Sequence, residues 1–387
     1  MNQDVRLAPQ GLSTDTPSPR PLRVALDVRP LQYPGAHRGI GRYVYQLALA
    51  LRQRREQLQL WLLADAGPLP KALEGCSRLQ ASSFRPRPRQ LGWIWDETQA
   101  GRWNRFPVDL IHLTSGFDLS FGWPVACRLP KVMTIYDLFS LDYRLPGWRR
   151  LGRPIYQWLA FKLRWLEGVA CISAATCKRL EAHLRKGCPR SCVTPLGATR
   201  FEGRSQLPAG LPERYLLLFP CWPPHKNAAS VVEALAPLGA SGPPLVVAGN
   251  CPDDFRRYLA QAAGELPICF LGSVDEGSIQ ALYGRAEALI FPSLREGFGL
   301  TPLEALAAGS LAAVADVEPM NEVVNHPDLL FDPHSPQSIR QCCLRLWDVS
   351  RREGLMAWAQ RRALEFSWSR TAEETLALYR SVAFPSS

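Results

Sequence analysis

Short apolar runs alternate with longer amphipathic stretches along most of this chain, and the alternation is broken once near its middle. In the first half, Leu22–Val28 reads as a buried strand. A Gly-rich turn, Gly35 to Gly41, follows it, and then a helix through about Arg54. Leu58–Ala64, Val108–Leu113, Val132–Tyr136, Val169–Ile172 and Val193–Leu196 read as further strands. Pro154–Glu167 has a helical pattern, and Ser173 is placed to cap a helix reaching Arg185. In the second half the runs Tyr215–Phe219, Leu245–Ala248, Ile268–Leu271 and Ala288–Phe291 are strands. Between and after them, Asn227–Leu238, Pro252–Ala263, Glu276–Arg285 and Pro302–Ala308 are helices. Uniformly apolar strands separated by helices fold into a parallel sheet covered on both faces.

The expected fold class is therefore α/β, with two Rossmann-like, doubly wound parallel-sheet domains facing each other across a cleft. The break falls in Ala198–Leu211, which holds Gly203, Pro208 and Gly210. This sets the first domain at 21–205 and the second at 206–365. Residues 366–387 are expected to form a C-terminal helix packing back on the first domain. Residues 1–20, polar and rich in Pro, Ser and Thr, have no apolar stretch of a secretory signal and read as a disordered lead-in. Ligands of such sheets sit beyond the carboxyl ends of the strands.

Composition adds a second division. The chain has 387 residues and a net charge of +10. Residues 1–200 carry 30 Lys and Arg against 14 Asp and Glu, whereas residues 201–387 carry 15 against 21. The basic half also holds eight of the twelve Trp. Nucleic acid, an anionic membrane surface or a phosphorylated acceptor all suit a basic, aromatic surface. No apolar run is long enough to span a bilayer, since Ala305–Ala315 is short and interrupted by Gly309 and Ser310. The eleven cysteines include no C-x-x-C pair, so a zinc site is not expected. No zinc-finger, RRM-like or helix-turn-helix pattern supports a nucleic-acid partner.

The strongest local signal runs from Pro292 to Gly309, where a strand gives way to a helix. Thr301 as N-cap, Pro302 at the first helical position and Glu304 at the third would form a capping box, with no ligand needed. Other residues exceed that account. Gly297 and Gly299 expose backbone amides, and a helix N-terminus favours phosphate. Glu296 lies in the loop with no capping duty. A carboxylate at each end of a phosphate-binding turn suits a sugar–diphosphate–ribose ligand.

This Glu296-x7-Glu304 segment, with Gly297-Phe298-Gly299-Leu300 inside it, resembles the signature of retaining glycosyltransferases of family 4, which have the two-domain GT-B fold. Arg38-Gly39-Ile40-Gly41-Arg42-Tyr43 resembles the family's N-terminal Gly-rich turn, and Thr134 to Leu138 its loop after a central strand. Cys171-Ile172-Ser173 with Leu196-Gly197 is similar to its linker region. His225-Lys226-Asn227 resembles its phosphate-lysine motif, and Phe366-Ser367-Trp368 its C-terminal tail. The likeness covers about residues 22–383.

The resemblance implies that the nucleotide part of a sugar donor is held by Glu304 at the ribose and by Lys226 with the amides of Leu300 and Thr301 at the diphosphate. Gly272 and Val274 would flank the base, and Gly39 and Gly41 would close over the diphosphate from the first domain. Glu296, Gly297, Phe298, Gly299 and Asp137 would hold the donor sugar. The catalytic residues implied are Glu296, Tyr136 and Lys226. No metal and no cofactor are expected, the nucleotide sugar being a substrate. The chain departs from the family at two places. Pro220 stands where an Arg is usual, leaving diphosphate charge to be supplied by Arg38 or Arg42. Tyr136 stands where a His usually contacts the sugar, and its hydroxyl is expected to take that contact. Of the histidines, His37 is the one placed to reach the cleft, and His112, in an apolar strand, reads as a satisfied core residue.

The activity this implies is retaining transfer of a hexose from a GDP- or UDP-sugar to a glycan or lipid-linked hydroxyl, in cell-surface polysaccharide or glycolipid synthesis. Mannose is the sugar suggested by similarity to mannosyltransferases. The alternative is a non-catalytic nucleotide-sugar-binding partner of another transferase. The expected place is the cytoplasm, with docking on the anionic inner face of the membrane through Arg85–Trp95 and Trp148–Arg150.

Overall fold

The computed structural model describes residues 20–33, 39–81, 98, 100–114, 126–139, 163–184, 187–199, 206–219 and 224–385. Two parallel sheets organise them. The first has seven strands: β1 (Leu22–Asp27), β2 (Leu58–Ala64), β3 (Ser77–Gln80), β4 (Leu110–Leu113), β5 (Lys131–Ile135), β6 (Gly168–Cys171) and β7 (Arg190–Val193), in the order β3-β2-β1-β4-β5-β6-β7. The second has six: β8 (Leu216–Leu218), β9 (Leu245–Ala248), β10 (Ile268–Gly272), β11 (Ala288–Phe291), β12 (Leu311–Ala315) and β13 (Leu330–Phe331), in the order β10-β9-β8-β11-β12-β13. Strand order reverses between β1 and β4 in one sheet and between β8 and β11 in the other, as in doubly wound folds. Central strands β8, β9 and β11 are buried at every position, the reason they are apolar without alternation.

Several elements differ from the sequence reading. Strands β3, β12 and β13 were not expected. The apolar run Ala305–Ala315 is split by Gly309, at φ 82°, into the end of helix Leu300–Ala307 and strand β12. Strand β7 lies at Arg190–Val193 and not Val193–Leu196, because Pro195 has no amide to continue the ladder. The helix expected over Asn227–Leu238 is α-helical from Ala228 to Leu235 and then tightens into a 3-10 turn, as Pro237 removes a donor. Ser173 does cap helix Ala174–Leu184, accepting the Thr176 amide at 3.1 Å. The Gly-rich residues 34–38 with His37, the stretches Arg85–Trp95 and Trp148–Arg150, Pro220 and most of Pro154–Glu167 lie outside the described residues.

Helix Trp368–Ala383 crosses back to the first sheet and packs on β6, β7 and the helix Gly39–Arg52. Thr371 donates to the Pro195 carbonyl at 2.6 Å, and the Trp368 indole donates to Thr199 at 3.0 Å. Gly197 is obligatory here, since a Cβ would run into the Trp368 backbone. Beneath, a buried polar chain joins this helix to the sheet. His112 on β4 bonds the Tyr379 hydroxyl at 2.6 Å and Thr134 at 2.8 Å, and Thr134 bonds Tyr43 at 3.0 Å. Burial holds the imidazole neutral, with its pKa lowered to about 3. His112 is thus the satisfied core histidine the sequence suggested.

Candidate functional site

Three of the segments singled out in the second half lie at the carboxyl ends of strands. Strand β8 leads to the turn Pro224–Lys226, β10 ends at Gly272, and β11 runs into the loop before helix Leu300–Ala307. The first half presents the same edge: Tyr136 and Asp137 follow β5, Ser173 follows β6, and Gly39 opens the helix after β1.

The turn after β11 is not the capping box read from sequence. Gly299 is the N-cap, at φ 106°, and the helix begins at Leu300. Only glycine takes that conformation without strain, so the helix starts two residues before the expected position. Thr301 and Pro302 are inside the first turn, and Glu304 falls at the fifth helical position. The first intrahelical bond runs from the Leu303 amide to the Gly299 carbonyl. The amides of Leu300 and Thr301 precede it and point out of the helix end, a setting for an anion. Glu304 is thereby released from capping. It is 6% exposed, and its carboxylate meets Arg42, which reaches over from the helix Gly39–Arg52. The second arm of Arg42 bonds Glu276 at 2.8 Å. Burial pushes the Glu304 carboxyl up to about 7, against the opposing pull of Arg42.

Eight residues earlier, Glu296 accepts from the Lys226 ammonium at 2.6 Å. Asn227, at φ 54°, turns the chain sharply after Lys226, and its side-chain amide is tied to the Pro333 carbonyl at 3.2 Å. The Leu294 amide donates to the His225 carbonyl at 2.7 Å, so the lysine turn and the glutamate loop are bonded together. Glu296 and Glu304 thus flank one helix end, each facing a cation from a different element.

Gly297 is a point of close approach between the halves. Its carbonyl accepts from the Ser173 hydroxyl at 2.8 Å, and a Cβ would run into the Tyr136 carbonyl. Glu322 accepts from the Ala174 and Ala175 amides at 3.1 and 2.9 Å, a second contact across the halves. The Phe298 ring packs inward, edge-on to Phe366 at 5.9 Å, so this residue offers its backbone alone. Asp137 accepts from the Phe139 amide at 3.0 Å. Burial raises its pKa, and Glu296 across the cleft pushes the same way.

Tyr136 does not stand as expected. Its hydroxyl donates to the Thr114 carbonyl at 2.6 Å, and its ring meets Tyr43 edge-on at 5.3 Å. The phenol is turned into the first half, where its O–H satisfies a carbonyl, and the backbone is what it presents to Gly297. Gly39 is exposed at the helix start, at φ 42°, whereas Gly41 is buried in the first turn. The side chain that this helix extends to the other half is Arg42. Gly272, at φ 66° and exposed, and Val274, half-buried, form the turn leading to Glu276. Glu276, Ser173 and Glu322 were not singled out from sequence as cross-cleft residues, because their partners lie more than 120 positions away.

Comparison with known proteins accords with this arrangement. The family described as Glycosyltransferase Family 4 matches residues 37–197, and that described as Glycosyl transferases group 1 matches residues 200–347. The serotype-specific mannosyltransferase WbdA of Escherichia coli is 32% identical over 171 residues, which are 42% of this chain and 21% of that protein. The chain thus spans well under two thirds of that relative's length. The D-inositol 3-phosphate glycosyltransferase of Salinispora tropica is 27% identical, with 94% of this chain and 86% of that protein aligned. Among solved structures, sucrose-phosphate synthase from Thermosynechococcus elongatus superposes with a TM-score of 0.69 at 20% identity, over 94% of this chain and all of that one. Anabaena HepE, in complex with UDP and glucose, gives a TM-score of 0.65 at 17% identity, over 93% of this chain and 100% of that one. At these identities the structures speak for the fold alone, but the two family matches follow one another along the chain and divide at the same place as the two sheets. The chain belongs to the glycosyltransferases of family 4 and has the GT-B fold.

Proposed function

We propose that this protein transfers a hexose from a nucleotide diphosphate sugar to a hydroxyl of a glycan or lipid-linked acceptor, with retention of configuration and without a metal. The observation that carries the reading is the pair Glu296 and Glu304 on either side of the amides of Leu300 and Thr301, with Lys226 held on Glu296. Glu304 accepts the ribose hydroxyls. Lys226 and the helix amides take the diphosphate, and Gly272 and Val274 lie beside the base. Glu296, the backbone of Gly297, Phe298 and Gly299, and Asp137 hold the sugar. The acceptor oxygen attacks the anomeric carbon on the face the diphosphate leaves. The carbon–oxygen bond to the diphosphate breaks, and the acceptor proton passes to the departing phosphate oxygen. Charge growing on that phosphate is stabilised by Lys226 and by the preorganised amides. With the Tyr136 hydroxyl committed to Thr114, this residue's part is to shape the cleft through its backbone.

Mannose from GDP-mannose is the proposed donor, with UDP-sugars the alternative. Mannosyltransferases WbdA, O-antigen chain mannosyltransferase B and RfbU are among the relatives, which favours mannose and polysaccharide synthesis, whereas HepE was solved with UDP. Docking on an anionic membrane surface is proposed for the first half. No described helix is long and apolar enough to cross a membrane. Trp165, 46% exposed beside Arg164, is the kind of pair that settles at a charged interface.

The test is nucleotide release from a panel of GDP-, UDP- and ADP-sugars, with and without acceptor, in wild type and in Glu304→Ala and Lys226→Ala. Each variant is expected to lose at least about tenfold in nucleotide affinity, some 1.4 kcal/mol. Wild-type affinity in both folded variants would remove the donor-site assignment. Release from none of the donors would favour a nucleotide-sugar-binding partner of another transferase. Flotation with anionic and neutral vesicles tests the docking.

A further inference from the structure

Arg42 is the side chain with which the first half touches the nucleotide end of the proposed donor site. It leaves the helix Gly39–Arg52 and forks between Glu304 and Glu276, both on the second half. Its side chain is 17% exposed and that of Glu304 is 7% exposed, so the guanidinium covers the carboxylate assigned to the ribose. A ribose competes for that carboxylate while its Oε1 accepts from the guanidinium. A diphosphate cannot enter easily without a cation at this end. Around the helix N-terminus stand Glu296, Glu304 and Glu276, and Lys226 is held at the Glu296 end, 2.6 Å from that carboxylate. A ligand with two or more negative charges would otherwise meet carboxylates on the ribose side.

We infer that Arg42 is a donor-binding residue supplied by the first half, holding Glu304 while the cleft is empty and taking the phosphate next to the ribose when the donor is bound. The inference rests on the donor-site reading given above. The exchange needs little movement, because the 5′-phosphate is attached close to the ribose that displaces the guanidinium. Glu276, on the other arm, keeps Arg42 over the site. A planar guanidinium matches phosphate oxygens with two parallel bonds, a geometry that an ammonium lacks. The same contact would draw the two halves together over a nucleotide diphosphate and not over a nucleoside.

Calorimetry tests this with UDP, GDP and ADP and with uridine, guanosine and adenosine. For the base that binds, Arg42→Ala is expected to weaken the diphosphate at least about tenfold. The nucleoside should bind as in wild type or more tightly, since Glu304 is uncovered. Arg42→Lys should fall between, and Arg42→Gln provides the same two readings should the alanine variant not fold. Equal losses for diphosphate and nucleoside, or an unchanged diphosphate affinity in a folded variant, would overturn the inference. Wild type that binds none of the three diphosphates would remove the donor-site reading itself, and this inference with it.

Discussion

The two walls of the cleft solve the problem of buried polar groups in different ways. In the first half several buried side chains are bonded within that half or to the C-terminal helix packed on it. Asp27 and Arg29 are fully buried and bonded to each other at 2.7 and 2.8 Å, His112 is bonded at both ring nitrogens, and the Tyr136 hydroxyl is used by Thr114. In the second half the charged groups at the helix end are held by single ion pairs, one of which crosses the cleft. A network satisfied within one body is structural, because breaking any member leaves a buried group unbonded. Pairs whose partners lie on different elements can be exchanged for a ligand without that penalty. The difference suits the proposal that the second half is the binding wall and the first the frame it closes on.

The sharpest test of the frame is His112→Ala. It removes the bonds to Tyr379 and Thr134 and opens a cavity, at a cost of about 3 kcal/mol. Denaturant unfolding should show this loss while nucleotide affinity of the folded protein stays at the wild-type value. A loss of affinity of similar size would mean that the frame is part of the binding wall.

Gly297→Ala tests the meeting of the two walls. Its methyl group would force the halves apart at Tyr136. Displacement of the sugar loop by about 1 Å should cost turnover on the order of a hundredfold. Nucleotide affinity, assigned in the proposal mainly to Lys226, Glu304 and the helix amides, should change far less. Turnover and nucleotide affinity falling together would show that the loop also supports the nucleotide.

The walls should also respond to pH with opposite sign. Glu304 has a folded pKa raised to about 7, so its contribution to stability is full below about 4.5 and is lost as pH rises through 7. His112 has a folded pKa lowered to about 3, so its contribution is present above 6.5 and is lost as pH falls towards 3. Glu304→Gln should therefore stabilise the empty protein at pH 8 by roughly 1–2 kcal/mol and leave it unchanged near pH 4.5. Thermal melts at the two pH values check this, and an equal effect at both would show that the carboxyl does not titrate in this range.

The smallest effect belongs to Tyr136→Phe. Loss of the bond to Thr114 should cost about 1 kcal/mol of stability, with turnover within about twofold of wild type. A large fall in turnover at unchanged stability would place the phenol at the sugar after all.

Much of the architecture could be read in one dimension. Runs such as Leu216–Leu218, Leu245–Ala248 and Ala288–Phe291 are apolar at every position because both faces of the sheet are covered. Strands β3 and β13 escaped because they are short edge strands with exposed or half-buried positions. At the site, the spacing from Glu296 to Glu304 and the Lys226 turn were legible, since each is a local motif.

What tertiary structure alone decided is which partners those residues take. The sequence places Thr301 and Pro302 where a cap could form, but the left-handed turn at Gly299 moved the helix start and freed Glu304 to meet Arg42, 262 positions away. Tyr136 follows its strand as read, yet the direction of its phenol depended on the Thr114 carbonyl and the Tyr43 ring. Local pattern follows from the backbone's own geometry, so the sequence determines it. The partner of a charged or hydroxyl group is whatever the folded chain brings within about 3 Å, and that is set by how the two sheets are held together.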